Sequence, residues 1–107
     1  MINIEDFLKI EMRVGLILEA TKLEESNKLI LMKVSFGEDD TRTVVSGIAK
    51  HYSPEDLINN KFMFVTNLEP RKILEYESQA MIVASHNEET ISLLKPEKDI
   101  EPGSAIS

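Results

Sequence analysis

The chain opens on a helical spacing of apolar residues. Ile4, Phe7 and Leu8 fall at i, i+3 and i+4 and so share one face. Asn3 can cap that helix, and Asp6 favours its N-terminus. At most two turns fit, so the piece must pack on something to persist. From Met12 the period changes to two: Met12, Val14, Leu16 and Leu18 alternate with Arg13, Gly15, Ile17 and Glu19, which predicts a strand. Gly15 inside it predicts a bulge or sharp bend. Thr21 to Asn27 is polar and predicts a loop. Leu29 to Phe36 is a second strand, Gly37 to Asp40 a hairpin turn, and Thr41 to Ser46 a third strand rich in β-branched residues, ended by Gly47. Ser53-Pro54-Glu55-Asp56 reads as N-cap, first-turn proline and capping-box acid of a short helix through Ile58, with Asn59-Asn60 to supply a left-handed end. Lys61 to Thr66 is a fourth strand, Asn67 to Ser78 a long loop, and Gln79 to Ser85 a fifth strand. A short β-prone stretch, Thr90 to Leu94, precedes a tail with Pro96, Pro102 and Gly103.

Helix, three strands, short helix, two strands, tail: this order predicts an all-β, five-stranded OB-fold barrel, a small, partly open Greek-key barrel. At 107 residues it is one domain, with 1–85 as barrel core and 86–107 as a C-terminal extension. The inward faces are expected from Val14, Leu16, Leu31, Val44, Val65, Ile82 and Ala84 or their neighbours. The extension carries Ile91, Leu93, Leu94, Ile100 and Ile106, too many apolar residues for a disordered acidic tail. They predict a homodimer formed through the residues after Ser85.

Composition removes several function classes. There is no cysteine, so no disulfide framework, zinc knuckle or thiol chemistry. No apolar run reaches the roughly 18 residues of a membrane helix, and the acidic start lacks a signal peptide's basic and apolar regions; a cytoplasmic protein with no membrane partner is the expectation. His51 and His86 have no companions at metal-ligand spacing. No G-x-S-x-G frame and no phosphate loop occurs. The expectation is a non-catalytic protein without metal or cofactor. The formal net charge of −7 argues against simple nucleic-acid binding, but the charge is uneven. Residues 1–27 carry net −3, residues 28–72 net +1 and residues 73–107 net −5. Lys28, Lys33, Arg42, Lys50, Lys61, Arg71 and Lys72 sit between acidic ends, so a local basic face on an acidic body is possible.

An OB barrel offers a binding face on strands 2 and 3 and the flanking loops. Lys33 and Arg42 are expected to share it and Lys28 to reach the same edge, where all three would hold phosphates. Tyr52 and Tyr76 are candidate platforms for stacked bases.

Specific strings then matter: Asp6-Phe7 with Met12-Arg13-Val14-Gly15; Asn27-Lys28-Leu29; Val45-Ser46-Gly47-Ile48-Ala49; Tyr52-Ser53-Pro54-Glu55-Asp56-Leu57; Asn67-Leu68-Glu69-Pro70-Arg71-Lys72; and Glu77-Ser78-Gln79-Ala80-Met81-Ile82. Together, and in this order over nearly the whole chain, they resemble the tRNA-binding domain family. That family includes the C-terminal domain of methionyl-tRNA synthetase, free-standing tRNA-binding proteins and a cytokine-precursor domain of the multi-synthetase complex. The resemblance implies an OB barrel, pairing of two copies through a C-terminal extension, and recognition of the tRNA corner by shape. By matching position it implies that Asn27, Lys28, Arg42, Ser78 and Met81 contact tRNA or line its groove. The string at Val45 resembles the methionyl-tRNA synthetase branch, which implies an accessory subunit or detached domain of that enzyme, with its catalytic chain as a partner. The alternative is a related export-chaperone branch that binds unfolded polypeptide. The family usually has glycine where this chain has Glu75 and Ala80; Glu75 would add negative charge near the Ser78–Met81 edge.

Overall fold

Asn3 does cap the first helix: its Oδ1 accepts the Asp6 N–H at 2.9 Å, and α1 runs for a single turn, Ile4–Phe7. The computed structural model describes all of residues 1–107. β1 (Met12–Lys22), β2 (Ile30–Ser35) and β3 (Thr41–Ser46) follow as a meander, then α2 (Pro54–Leu57) and β4 (Lys61–Val65). α2 starts where the sequence placed it. The Asp56 carboxylate accepts from both the Ser53 N–H at 3.1 Å and the Ser53 hydroxyl at 2.9 Å, which holds its pKa below the ordinary aspartate range. Asn59 takes the left-handed conformation, φ +66°.

β5 (Arg71–Ile73) and β6 (Tyr76–Ser78) form a hairpin, and β7 (Met81–Ile82) returns to the main sheet. β8 (Ala84–His86) pairs with β9 (Ile91–Leu93), and β10 (Ala105–Ile106) with the start of β1. The main sheet runs β3-β2-β1-β4-β7, with every pairing antiparallel. It closes because the outer edge of β3 finds partners just before β7. The Gln79 N–H donates to the Thr43 carbonyl and the Gln79 Oε1 accepts from the Thr43 N–H, both at 2.8 Å. Ser78 Oγ accepts from the Val45 N–H at 3.0 Å. The result is the predicted five-stranded, nearly closed OB-type barrel.

Gly15 is not the expected bulge: it pairs in regular register with Phe62, and the shift in β1 falls between Ile17 and Glu19. The glycine instead leaves room for core side chains. A β-carbon there would sit 2.6 Å from Val34 Cγ1 and 2.8 Å from ring carbons of both Phe36 and Phe64. The barrel interior is filled by Ile17, Ile30, Met32, Val34, Val44 and Phe64, all fully buried, and the Phe36 and Phe64 rings meet edge to face at 5.3 Å.

This core differs from the expected one by a one-residue slip in β1 and β2. Leu16 pairs with Ser35 and Lys61, and Leu31 with Thr21 and Val45, all outside the barrel cavity. Ile17, Ile30 and Met32 take the interior instead. Because side chains alternate faces, a slip of one moves the whole set, and the bulge between Ile17 and Glu19 re-phases the strand. Val44 and Ile82 lie in the core as expected, and Ala84 packs against it partly buried. Val14 and Val65 are buried on the opposite face of the sheet. The C-terminal strand runs beside Val14: its N–H donates to the Ser104 carbonyl at 3.0 Å, and its carbonyl accepts from Gly103 at 2.7 Å.

β1 also extends to Lys22, into the expected loop. The residues 71–78 expected as loop are the β5–β6 hairpin, turned by Leu74-Glu75 with Leu74 at φ +55°. The expected boundary after residue 85 falls inside β8. Beyond it, Leu93 belongs to the core, and its N–H donates to the Tyr52 hydroxyl at 3.0 Å. No helix is long and apolar enough to cross a membrane.

Candidate nucleic-acid interface

Closing the barrel through Ser78 and Gln79 leaves a groove between β3, β7 and the β5–β6 hairpin, of about 180 Å3. Val45, Ala80 and Ile82 are its buried floor, with Ile73 of the hairpin beside them. Leu68 and Met81 stand at its walls, 51% and 50% exposed. Arg71 and Glu69 reach it from the segment entering the hairpin, and Ser46 from the end of β3. Ala80 contributes its methyl group to this apolar floor. Glu75 sits at the hairpin tip, whereas Ser78 pairs with Arg71 at the base. Its carboxylate lies near Tyr76, not in the groove.

The expected site residues divide. Met81 lines the groove. Lys28 is exposed just before β2, and Ile30 pairs with the groove residue Ser46; the Lys28 carbonyl also accepts from the Ala49 N–H at 3.0 Å. Lys28 therefore flanks one end of the groove and has no carboxylate within ion-pair reach. Asn27 is exposed in the preceding turn, on a separate polar depression with Lys22 and Glu24. Ser78 lines the groove but is 93% buried; its hydroxyl accepts from Val45 and donates to the Ala80 carbonyl at 3.2 Å. It is a closing tie of the barrel with its donor already spent.

Lys33 and Arg42 do not share a face. Lys33 pairs with Thr43 and Glu19 on the outer surface, while Arg42 pairs with Val34, a core residue. Alternation along each strand separates them. Lys33 lines a shallow outer depression with Glu19, Thr43 and Tyr76. Arg42 instead locks one end of the barrel. Its Nε donates to Asp40 Oδ1 at 3.0 Å, one terminal nitrogen to Asp40 Oδ2 at 3.4 Å, and the other to the carbonyls of Thr66 at 2.6 Å and Gln79 at 3.3 Å. The guanidinium lies 5.3 Å from the centroid of the Phe36 ring. Arg13 joins from β1, 3.0 Å from Asp40 and 5.1 Å from the same ring. Burial pushes the Asp40 carboxyl upward, but the hydrogen bonds and charge of Arg42 and Arg13 outweigh it and hold the pKa below the ordinary 3.8.

Of the two tyrosines, Tyr52 packs against the core and accepts the Leu93 N–H, which makes it structural. Tyr76 stays at the outer depression. Partial burial, with Glu75 and Glu25 nearby, raises its pKa. Reasoning from sequence missed Arg71 and Leu68 as groove residues; the available signal was their place in the Asn67–Lys72 string. Every buried side-chain polar atom has a hydrogen-bond partner, and no three His, Cys, Asp or Glu side chains converge.

A nearly closed OB-type barrel with an apolar-floored groove and unpaired cations at its edge defines a small binding module. Residues 12–105 match the family described as "Putative tRNA binding domain", and the chain belongs to that family. It is 54% identical over 106 residues to a methionine–tRNA ligase of Caldanaerobacter subterraneus subsp. tengcongensis, and 48% identical to one of Methanococcus aeolicus, matching 99% of this chain in each case. The chain spans 16% of the length of those ligases. Among solved structures it resembles a MetRS-related protein from Pyrococcus horikoshii (TM-score 0.94, 35% identity, covering 100% of this chain and 98% of that one). It also resembles the chaperone CsaA of Bacillus anthracis (TM-score 0.90, 30% identity, 100% and 99% covered).

Proposed function

We propose that this chain binds tRNA at the groove edge of its barrel, reading folded shape and backbone charge rather than sequence. The observation that carries the reading is its family membership over residues 12–105, with methionine–tRNA ligases as relatives. Folded RNA offers backbone and 2′-hydroxyls more readily than base identity, and phosphate contacts supply most non-specific affinity. Lys28 and Arg71, both without ion-pair partners, are the proposed phosphate contacts, with Met81 in the groove between the β5–β6 hairpin and β7. Asn27 and Lys33 contact the RNA backbone as it passes outside the groove. Arg42 and Ser78 act by holding the edge in shape. With net charge −7, long-range attraction is poor and these cations act at short range.

The proposed role is that of a cytoplasmic, non-catalytic accessory subunit or detached domain that adds a second tRNA contact to a methionyl-tRNA synthetase chain. Such linkage raises affinity by effective concentration. We further propose a homodimer, through the residues after Ser85 and their exposed apolar neighbours. The decisive experiment is an anisotropy titration at several salt concentrations with bulk tRNA and with single-stranded RNA of equal length. Preferential binding of tRNA, weakening as salt rises, is expected; equal affinity for the two would rule out shape recognition. A second reading is favoured by the likeness to the chaperone CsaA: an export-related dimer that binds unfolded polypeptide. Capture of unfolded polypeptide with no tRNA binding at low salt selects that reading.

A further inference from the structure

Phosphate contacts account for cations at the rim of the groove but not for its floor. Val45, Ala80 and Ile82 are apolar and buried there, and Leu68 and Met81 leave half their surface open beside them. An ionic backbone set against carbon loses hydration and gains nothing in return. The broad apolar faces that RNA offers are those of its bases, reachable where a base is unpaired and unstacked. The groove, of about 180 Å3, is large enough for a ring system.

The rim charges fit the same occupant. Arg71 has no carboxylate within ion-pair reach although Glu69 lines the same groove. A guanidinium can lie on a base face or fork the neighbouring phosphate. A lone carboxylate repels phosphate but accepts from a base's exocyclic amino group. We infer that the groove receives a single unstacked base of the bound RNA, flanked by Met81 and Leu68, with Glu69 favouring the amino-bearing bases over uracil. This deepens the tRNA-binding reading and rests on it: shape and charge bring the RNA to the edge, and one extruded base fixes its register there.

The test is a 15N–1H NMR titration of the whole chain with AMP, CMP, GMP, UMP and ribose 5-phosphate, alongside tRNA anisotropy on the same variants. Nucleotides are expected to shift the amides of Val45, Ala80 and Ile82 at millimolar concentration, while ribose 5-phosphate moves only residues around Arg71. Met81→Gln, at a half-exposed position, should keep the folded spectrum. It should weaken the nucleotide shifts and tRNA affinity about five- to tenfold without altering the salt dependence. Glu69→Gln should narrow the difference between CMP and UMP. The inference is overturned if ribose 5-phosphate reproduces the nucleotide shifts, if nucleotides move no groove amide, or if an unfolded polypeptide shifts the groove where nucleotides do not. Should tRNA still bind in any of these cases, the inference alone falls; absence of tRNA binding at low salt removes both readings.

Discussion

Replacing Arg42 with alanine separates two roles that the sequence could not tell apart. If Arg42 is a free phosphate contact, its loss lowers RNA affinity and little else. The structure places its guanidinium in four hydrogen bonds, to Asp40 twice and to the carbonyls of Thr66 and Gln79. These bonds tie the turn before β3, the end of β4 and the approach to β7, so their loss loosens the closure of the barrel. Hydrogen bonds to a charged group contribute about 1.5–3 kcal/mol each in isolation, but these share one partially exposed side chain and are not additive. Two carbonyls would be left to find water, and Asp40 would keep only Arg13. A net cost of about 3 kcal/mol follows, or a fall in Tm of roughly 10–20 °C for a domain of this size. Thermal unfolding followed by far-UV circular dichroism reads it directly. RNA binding, measured well below the lowered Tm, should keep its salt dependence. A Tm within about 2 °C of the parent, together with a drop of about one unit in the slope of log K against log salt, would refute this account and restore Arg42 as an RNA contact.

Four further outcomes follow from the geometry. Gly15→Ala drives a methyl group against Val34, Phe36 and Phe64 and should cost about 1–3 kcal/mol by overpacking, read as a lower urea midpoint at unchanged slope. Lys28→Ala should reduce the salt slope of tRNA binding by about one unit without loss of stability. Ser78→Ala should do the reverse, since it orphans the buried Val45 N–H at a cost of about 1–3 kcal/mol, seen in chemical denaturation. Asp40 has a folded pKa below the ordinary 3.8, so its contribution is present above that value and is lost as pH falls through the depressed one. Acid titration of the parent should show a loss of stability below about pH 4 that is smaller in Asp40→Asn, and equal acid sensitivity in the two would remove Asp40 from the explanation.

Much of the chain could be read before its structure was known, because local chemistry decided it. Asn3, Ser53, Pro54 and Asn59 fix the helix ends through their own backbone preferences. Glycine and acidic residues fix the β2–β3 turn. Register was another matter. Val14, Leu16, Ile17 and Leu18 are all apolar, so period two fits either face, and only the bulge after Ile17 and the space that Gly15 leaves decide between them. The β5–β6 hairpin was hidden because Arg71, Lys72, Glu75 and Glu77 mask the few apolar residues between them. The proposed binding edge was legible in its parts and not in its assembly: Met81 and Lys28 flank the groove, whereas Arg42 is turned away by strand alternation and Ser78 is used up inside.

β1 has a part in folding as well as in the finished barrel. It pairs with β2, β4 and β10 at once, and Met12 faces Ile106. That last pairing closes a loop from residue 12 to residue 106, so nearly the whole chain must be gathered before the strand acquires its full set of neighbours. The entropy of such a closure is lost before its contacts repay it. Folding in milliseconds to seconds, rather than microseconds, is the expected regime for pairings of this range. Until Gly103 and Ser104 dock, the backbone of Val14 stays open along one flank of β1. Docking of that segment, rather than completion of the hairpins before it, gives β1 its full set of neighbours.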